Sequence, residues 1–171
     1  MPNTKKRAGF LPFLPLLCTL PGVVAAFLGL FLPYADKVTK NPVAETVDRN
    51  SMTLSEWATQ HEALREIGGE GYAYFGAARS FSWVVAVTAA CVFLLLLLSR
   101  FDRSKSVVWC CAGAGAVLAL LTVVAFLLSV FFSVAAGSES SRVLLSVAPY
   151  GTLVGGTLVG AVSFFAVRRD L

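Results

Sequence analysis

Residues 106–138 read SVVWCCAGAGAVLALLTVVAFLLSVFFSVAAGS, 33 consecutive positions without a charged side chain. A helix rises about 1.5 Å per residue, so about 20 apolar residues cross the ~30 Å hydrocarbon core of a bilayer. This stretch exceeds that length and carries no polar stripe of the kind a helix on a soluble core needs. Three further uncharged stretches flank it: Ala8 to Ala35 (28 residues), Ser80 to Ser99 (20) and Val143 to Val167 (25). Four spans are therefore expected, at about 10–34, 78–99, 107–136 and 143–167. Composition agrees: 57% of the 171 residues are hydrophobic and 14% charged, against about a quarter charged in an average soluble domain.

The first stretch follows Lys5, Lys6 and Arg7, as a secretory signal would. A signal h-region is about 7–15 residues. This one runs on through Val23–Leu32 to Pro33 and Tyr34, a length that reads as an uncleaved signal anchor. Pro21 and Gly22, deep in the span, predict a kink.

Orientation follows from the basic residues. Lys5, Lys6, Arg7, Arg100, Arg103, Lys105, Arg168 and Arg169 fall on one side with Asp102 and Asp170, a net +6. Lys37, Lys40, Arg49, Arg65, Arg79 and Arg142 fall on the other with Asp36, Glu45, Asp48, Glu56, Glu62, Glu66, Glu70 and Glu139, a net −2. The basic side is expected to be cytoplasmic, with both termini there, in the plasma membrane. The overall +4 then reflects topology and anionic lipid rather than nucleic acid. Tyr34, Tyr72, Tyr74 and Trp83 near the outer ends, and Trp109 near an inner end, suit an aromatic belt.

The expected fold is all-α: one membrane domain over 1–171, a four-helix bundle with a short amphipathic helix in the first outer loop, 36–79. Thr53 and Glu56 form a capping box for that helix and Gly68-Gly69 a stop. Leu54, Trp57, His61, Leu64 and Ile67 share its apolar face, which can cap the bundle or meet a partner. In the fourth span the tandem repeat Gly151-Thr152-Leu153-Val154-Gly155 and Gly156-Thr157-Leu158-Val159-Gly160 sets Gly151, Gly155, Gly156 and Gly160 as close-packing positions. They can receive the third span, with its Cys111–Ala116 small-residue run, or a second protein. Cys110 and Cys111, beside the basic inner loop, are open to S-acylation or are buried small residues.

No enzyme is expected. His61 is the single histidine, with no ligand set around it for a metal and no nucleophile and base for catalysis; no cofactor motif is present. Ionisable residues inside the membrane mark pumps and channels, and these spans contain none.

Phe75-Gly76-Ala77-Ala78-Arg79-Ser80-Phe81-Ser82 entering the second span, Trp109-Cys110-Cys111 entering the third and Tyr150-Gly151 in the fourth resemble the amastins, surface proteins of trypanosomatid parasites. The plan of four spans, internal termini, a long first outer loop and a short second one resembles the wider claudin-like tetraspan architecture. Both families carry a tryptophan and a cysteine pair in the first outer loop; here that loop has Thr53-Leu54-Ser55-Glu56-Trp57 and no cysteine, so no functional residue carries over. The expected function is non-enzymatic: a surface tetraspan or accessory subunit of a membrane complex, associating with another membrane protein or with itself. The alternative is an oligomeric channel or transporter for apolar or lipid-like substrates.

Overall fold

A computed structural model describes residues 13–41, 46–64, 71–101, 104–137 and 141–168, apart from the side chains at 41, 61, 63, 64, 71, 72, 167 and 168. In chain order the elements are α1 (Leu14–Leu28), β1 (Pro33–Asn41), β2 (Thr46–Thr53), α2 (Leu54–Leu64), α3 (Gly71–Phe101), α4 (Lys105–Ala135), β3 (Ser141–Leu145) and α5 (Val147–Arg168). Most of the chain is helical. Three stretches, Ala73–Phe101, Lys105–Ala135 and Val147–Ala166, are long and apolar enough to cross a membrane; α1, at 15 residues, is a shorter apolar helix. α4 packs between α3 and α5, and α1 lies on α5 and α3.

The all-α expectation is corrected by a three-stranded antiparallel sheet in the order β2-β1-β3. Its strands take parts of two stretches expected to be helical. Helix α1 stops at Leu28, the chain turns through 29–32, and Pro33 opens β1, where its missing N–H is harmless at the start of a strand. At the other end Val143–Leu145 belong to β3, so α5 begins only at Val147. A short apolar run reads alike as strand or helix by periodicity; here pairing with β1 decides. α3 starts two turns before the expected residue 78, whereas α4 closely follows the expected 107–136. Ser104 caps α4 by accepting from the Val107 N–H.

One irregularity joins sheet to helices. The β1–β2 register shifts between Pro33 and Ala35. Such a bulge breaks the alternation of faces and re-aims a side chain; here Tyr34 is buried among the helices. Its hydroxyl donates to Ser129 Oγ of α4 at 2.7 Å, and Ser129 donates in turn to the Ala125 carbonyl at 2.9 Å. Phe75 (α3), Phe132 (α4) and Trp57 (α2) close around it, with Trp57 and Phe132 edge to face at 5.2 Å. The Trp57 indole N–H donates to the Ala35 carbonyl at 3.1 Å. Ser133 Oγ of α4 donates to the Val143 carbonyl at 2.8 Å and fixes β3.

The expected capping box of α2 is formed: Thr53 N–H donates to Glu56 Oε2 at 2.7 Å, and Glu56 N–H donates to Thr53 Oγ at 3.3 Å. With Leu54 and Trp57 buried, this half of the helix roofs the bundle. The side chains of His61 and Leu64, and Ile67 altogether, lie outside the described residues.

Asp36 is only 1% exposed although it sits in a strand, because Arg49 of β2 lies over it. Arg49 Nε donates to Asp36 Oδ2 at 2.9 Å, and a second guanidinium nitrogen reaches the same oxygen. Burial pushes the Asp36 carboxyl pKa up, but hydrogen bonds from Arg49, Ser51 and Ser146 and the charge of Arg49 outweigh it, so it stands below the ordinary carboxylate value. The pair contributes stability above the unfolded-state pKa that is lost as pH falls through the depressed folded-state pKa.

Two outcomes follow for unfolding experiments in detergent. Tyr34→Phe, which leaves Ser129 without its donor, should cost about 1 kcal/mol, and Trp57→Ala about 3–5 kcal/mol. Wild-type stability should fall on acidification below about pH 4, the reference carboxylate range, and Asp36→Asn should flatten that limb of the curve.

Candidate functional site: helix seams and the sheet face

The seams between helices are built on missing side chains. A Cβ placed on Gly155 of α5 would lie 2.5 Å from the Gly22 carbonyl oxygen and 2.9 Å from the Ala26 nitrogen of α1; one on Gly22 would lie 2.8 Å from the Gly155 oxygen. On the adjoining side of α5, a Cβ on Gly160 would lie 2.6 Å from the Gly115 oxygen of α4, and one on Gly156 would collide with Thr122. Neighbouring backbones, and at Gly156 the Thr122 side chain, occupy the space where side chains would stand. Gly151, the fourth glycine of the repeat, is looser, its nearest neighbour being the Ala25 oxygen at 3.8 Å. The two glycine faces of α5 are thus filled from within the chain, by α1 on one side and α4 on the other. At Gly155, Gly156 and Gly160 they leave no space for a second protein.

Most hydroxyls inside the bundle are turned to their own helices, whereas the fully buried Ser163 Oγ has no partner among the described residues. Thr19 donates to the Leu16 carbonyl, Ser82 to Ala78, Ser99 to Leu96 and Thr122 to Leu118, all between 2.7 and 3.0 Å. In this state they satisfy themselves in an apolar setting and present no row of free donors to a solute. Of the paired cysteines, Cys111 is fully buried at the end of the bundle away from the sheet, and only Cys110 reaches the surface. No group of three or more histidine, cysteine or acidic side chains suited to a metal occurs among the described residues.

The outer surface of the helices has a banded pattern. At the sheet end Phe31, Tyr74, Trp83, Phe131 and Tyr150 are exposed; Tyr74 touches Phe131 at 5.8 Å and Tyr150 touches Phe126 at 5.4 Å. At the far end Phe13, Phe101, Trp109 and Phe165 are exposed. Each girdle draws on α1 or its flanks, α3, α4 and α5. Along the chain the two are 18 (Phe13 to Phe31), 27 or 18 (Tyr74 or Trp83 to Phe101), 22 (Trp109 to Phe131) and 15 (Tyr150 to Phe165) residues apart. At the helical rise this is roughly 22–40 Å, a range that brackets the ~30 Å thickness of a hydrocarbon core. Between the girdles most exposed large side chains are aliphatic, among them Leu17, Leu20 and Val24; Val87 and Leu94; Leu120 and Val123; Val154 and Leu158; Phe27 of α1 is exposed there as well.

The sheet has two unlike faces, because cross-strand partners share a face and every second residue returns to it. Ala35, Met52 and Val143 are buried toward the helices. On the other side Val38 is opposite both Arg49 and Arg142, Lys40 is opposite Val47, and Asp36 is opposite Ser51 and Leu144. Val47 (61%) and Leu144 (49%) are exposed there beside the three basic residues. This face is not legible in the sequence because it depends on register, and β3 comes from the far side of three helices.

Comparison with protein-family models and with curated proteins finds no match to this chain. The molecule is a mostly helical protein with three helices able to cross a membrane and a small antiparallel sheet at one end.

The glycine seams make a direct test. Gly155→Leu and Gly160→Leu should each destabilise the folded protein by at least about 1–3 kcal/mol, as overpacking does. Gly113→Ala, where nothing lies within 4 Å of the new Cβ, should leave detergent unfolding unchanged or slightly improved.

Proposed function

We propose that this chain is a four-span integral membrane protein of the plasma membrane, with cytoplasmic termini, that works without catalysis by presenting its sheet-bearing end to protein partners. The observation that carries the membrane reading is the pair of aromatic girdles. Tyrosine and tryptophan favour the interface because one end of the ring system is apolar and the other can meet water. Because both girdles include residues at the ends of α1, the short first helix is read as a fourth span. The sheet then lies outside and the α3–α4 connection inside, as the +6 against −2 charge division requires. The order of a long first outer segment and a short second one supports the claudin-like reading, with the amastin-like features as its nearer form.

Association is favoured over conduction because backbones meet directly at the α1–α5 and α4–α5 seams and most interior hydroxyls bond their own helices. What remains for function is the polar end, where the sheet offers its outward face and α2 its polar side. Surface adhesion and an accessory role in a larger complex both fit an end of this kind.

In vesicles containing lipids brominated close to the headgroup, tryptophan emission should be strongly quenched. Most of that quenching should vanish in the W83F/W109F double variant, leaving the buried Trp57 protected. Quenching unchanged by the double variant would sink the assignment of the girdles to the two interfaces. Tag accessibility should further place both termini inside and the β1–β2 connection outside.

A further inference from the structure

The sheet-bearing end is electrically two-sided. Its outward sheet face carries Lys40, Arg49 and Arg142 against Asp36, a formal +2. Asp36 holds Arg49 in place, while Lys40 and Arg142 form no ion pair among the described residues. At ordinary sheet spacings Arg49 and Arg142 are about 10 Å apart across Val38, and Lys40 is about 7 Å along β1. The exposed side of α2 carries Glu56 and Glu62, a formal −2, beside Ser55 and Thr59. These surfaces lie on different flanks: α2 packs on β2, β1 and α3, whereas Arg142 is on β3, the opposite edge strand.

We propose that copies of this chain associate side by side, the sheet face of one receiving α2 of the next, with Arg142 and Lys40 set against Glu62 and Glu56. The inference rests on the membrane reading, because a shared bilayer holds both surfaces at one height. An isolated exposed ion pair contributes little. Here two opposite pairs are joined by the exposed Val47 and Leu144, whose burial adds apolar area, and confinement to one plane raises the effective concentration. The two contacting surfaces differ, so the contact is heterologous and one copy leaves both surfaces open for further neighbours.

The test uses the full-length chain, dye-labelled and reconstituted in neutral-lipid vesicles, with association read by single-particle photobleaching and insertion by resistance to alkaline extraction. Wild type should form runs of several copies that shorten as salt rises from 50 to 500 mM. Arg142→Glu and Glu62→Lys should each reduce these to single copies. A one-to-one mixture of the two variants should recover alternating runs, because the wild-type contact and the charge-reversed contact can both form between unlike copies. The double variant, with both charges reversed, should recover runs of wild-type length. Single variants that associate like wild type overturn the proposal. So does a double variant that inserts but stays single, or loss in Arg142→Glu without loss in Glu62→Lys, which would point to a different anionic partner. Failure to resist extraction would instead overturn the membrane reading itself.

Discussion

Close backbone approach along α5 is the constraint on which the rest of the structure depends. Lipid tails are as apolar as leucine, so helices inside a bilayer gain little from hiding hydrophobic surface and must gain from packing. Gly155 against Gly22 and Gly160 against Gly115 bring backbones together on two adjoining sides of one helix. That places α5 between α1 and α4, and so brings the start of β1 and the end of α4 to the same end of the molecule.

The sheet is a consequence of that placement. β1 leaves α1 and β3 leads into α5, so the contact between these helices delivers two strands side by side; the Ser146 N–H donates to the Tyr34 carbonyl at 3.0 Å where they meet. The bulge at Tyr34 then turns one large ring inward, where Ser129 satisfies its hydroxyl and Trp57, Phe75 and Phe132 fill the space around it. α2 is held by the same cluster, which makes the sheet, its flanking helix and the tops of α3 and α4 one packed unit. The outward sheet face is left to solvent, and Asp36 can be buried there only because Arg49 supplies both charge and hydrogen bonds.

Features encoded within one turn of helix were legible without coordinates. The Thr53–Glu56 box and the burial of Leu54 and Trp57 on one face of α2 follow from neighbours three or four residues apart, and the extent of α4 follows from its uncharged length. Spacing also marked the α5 glycines as close-packing positions, but not which helix each one would meet. Gly155 and Gly156 are adjacent in sequence, and only the arrangement of α1 and α4 assigns them to different seams. Cys110 and Cys111 differ in the same way: neighbours in the chain, one exposed and one fully buried.

The chain's apolar lengths by themselves marked four stretches long enough to cross a membrane, because bilayer thickness and helical rise turn a count of uncharged residues into a distance; the fold makes three of them helices of that length. They could not reveal the sheet. β1 and β2 are polar on most positions and show no alternation, and β3 is five residues lying against an apolar run that reads as helix. Those strands exist because β1 finds β2 on one side and β3, more than a hundred residues away, on the other. Hydrogen bonds between distant segments leave no local period in a sequence, so tertiary structure alone decided where the helices stop, which way Tyr34 faces and which charges share the outward face.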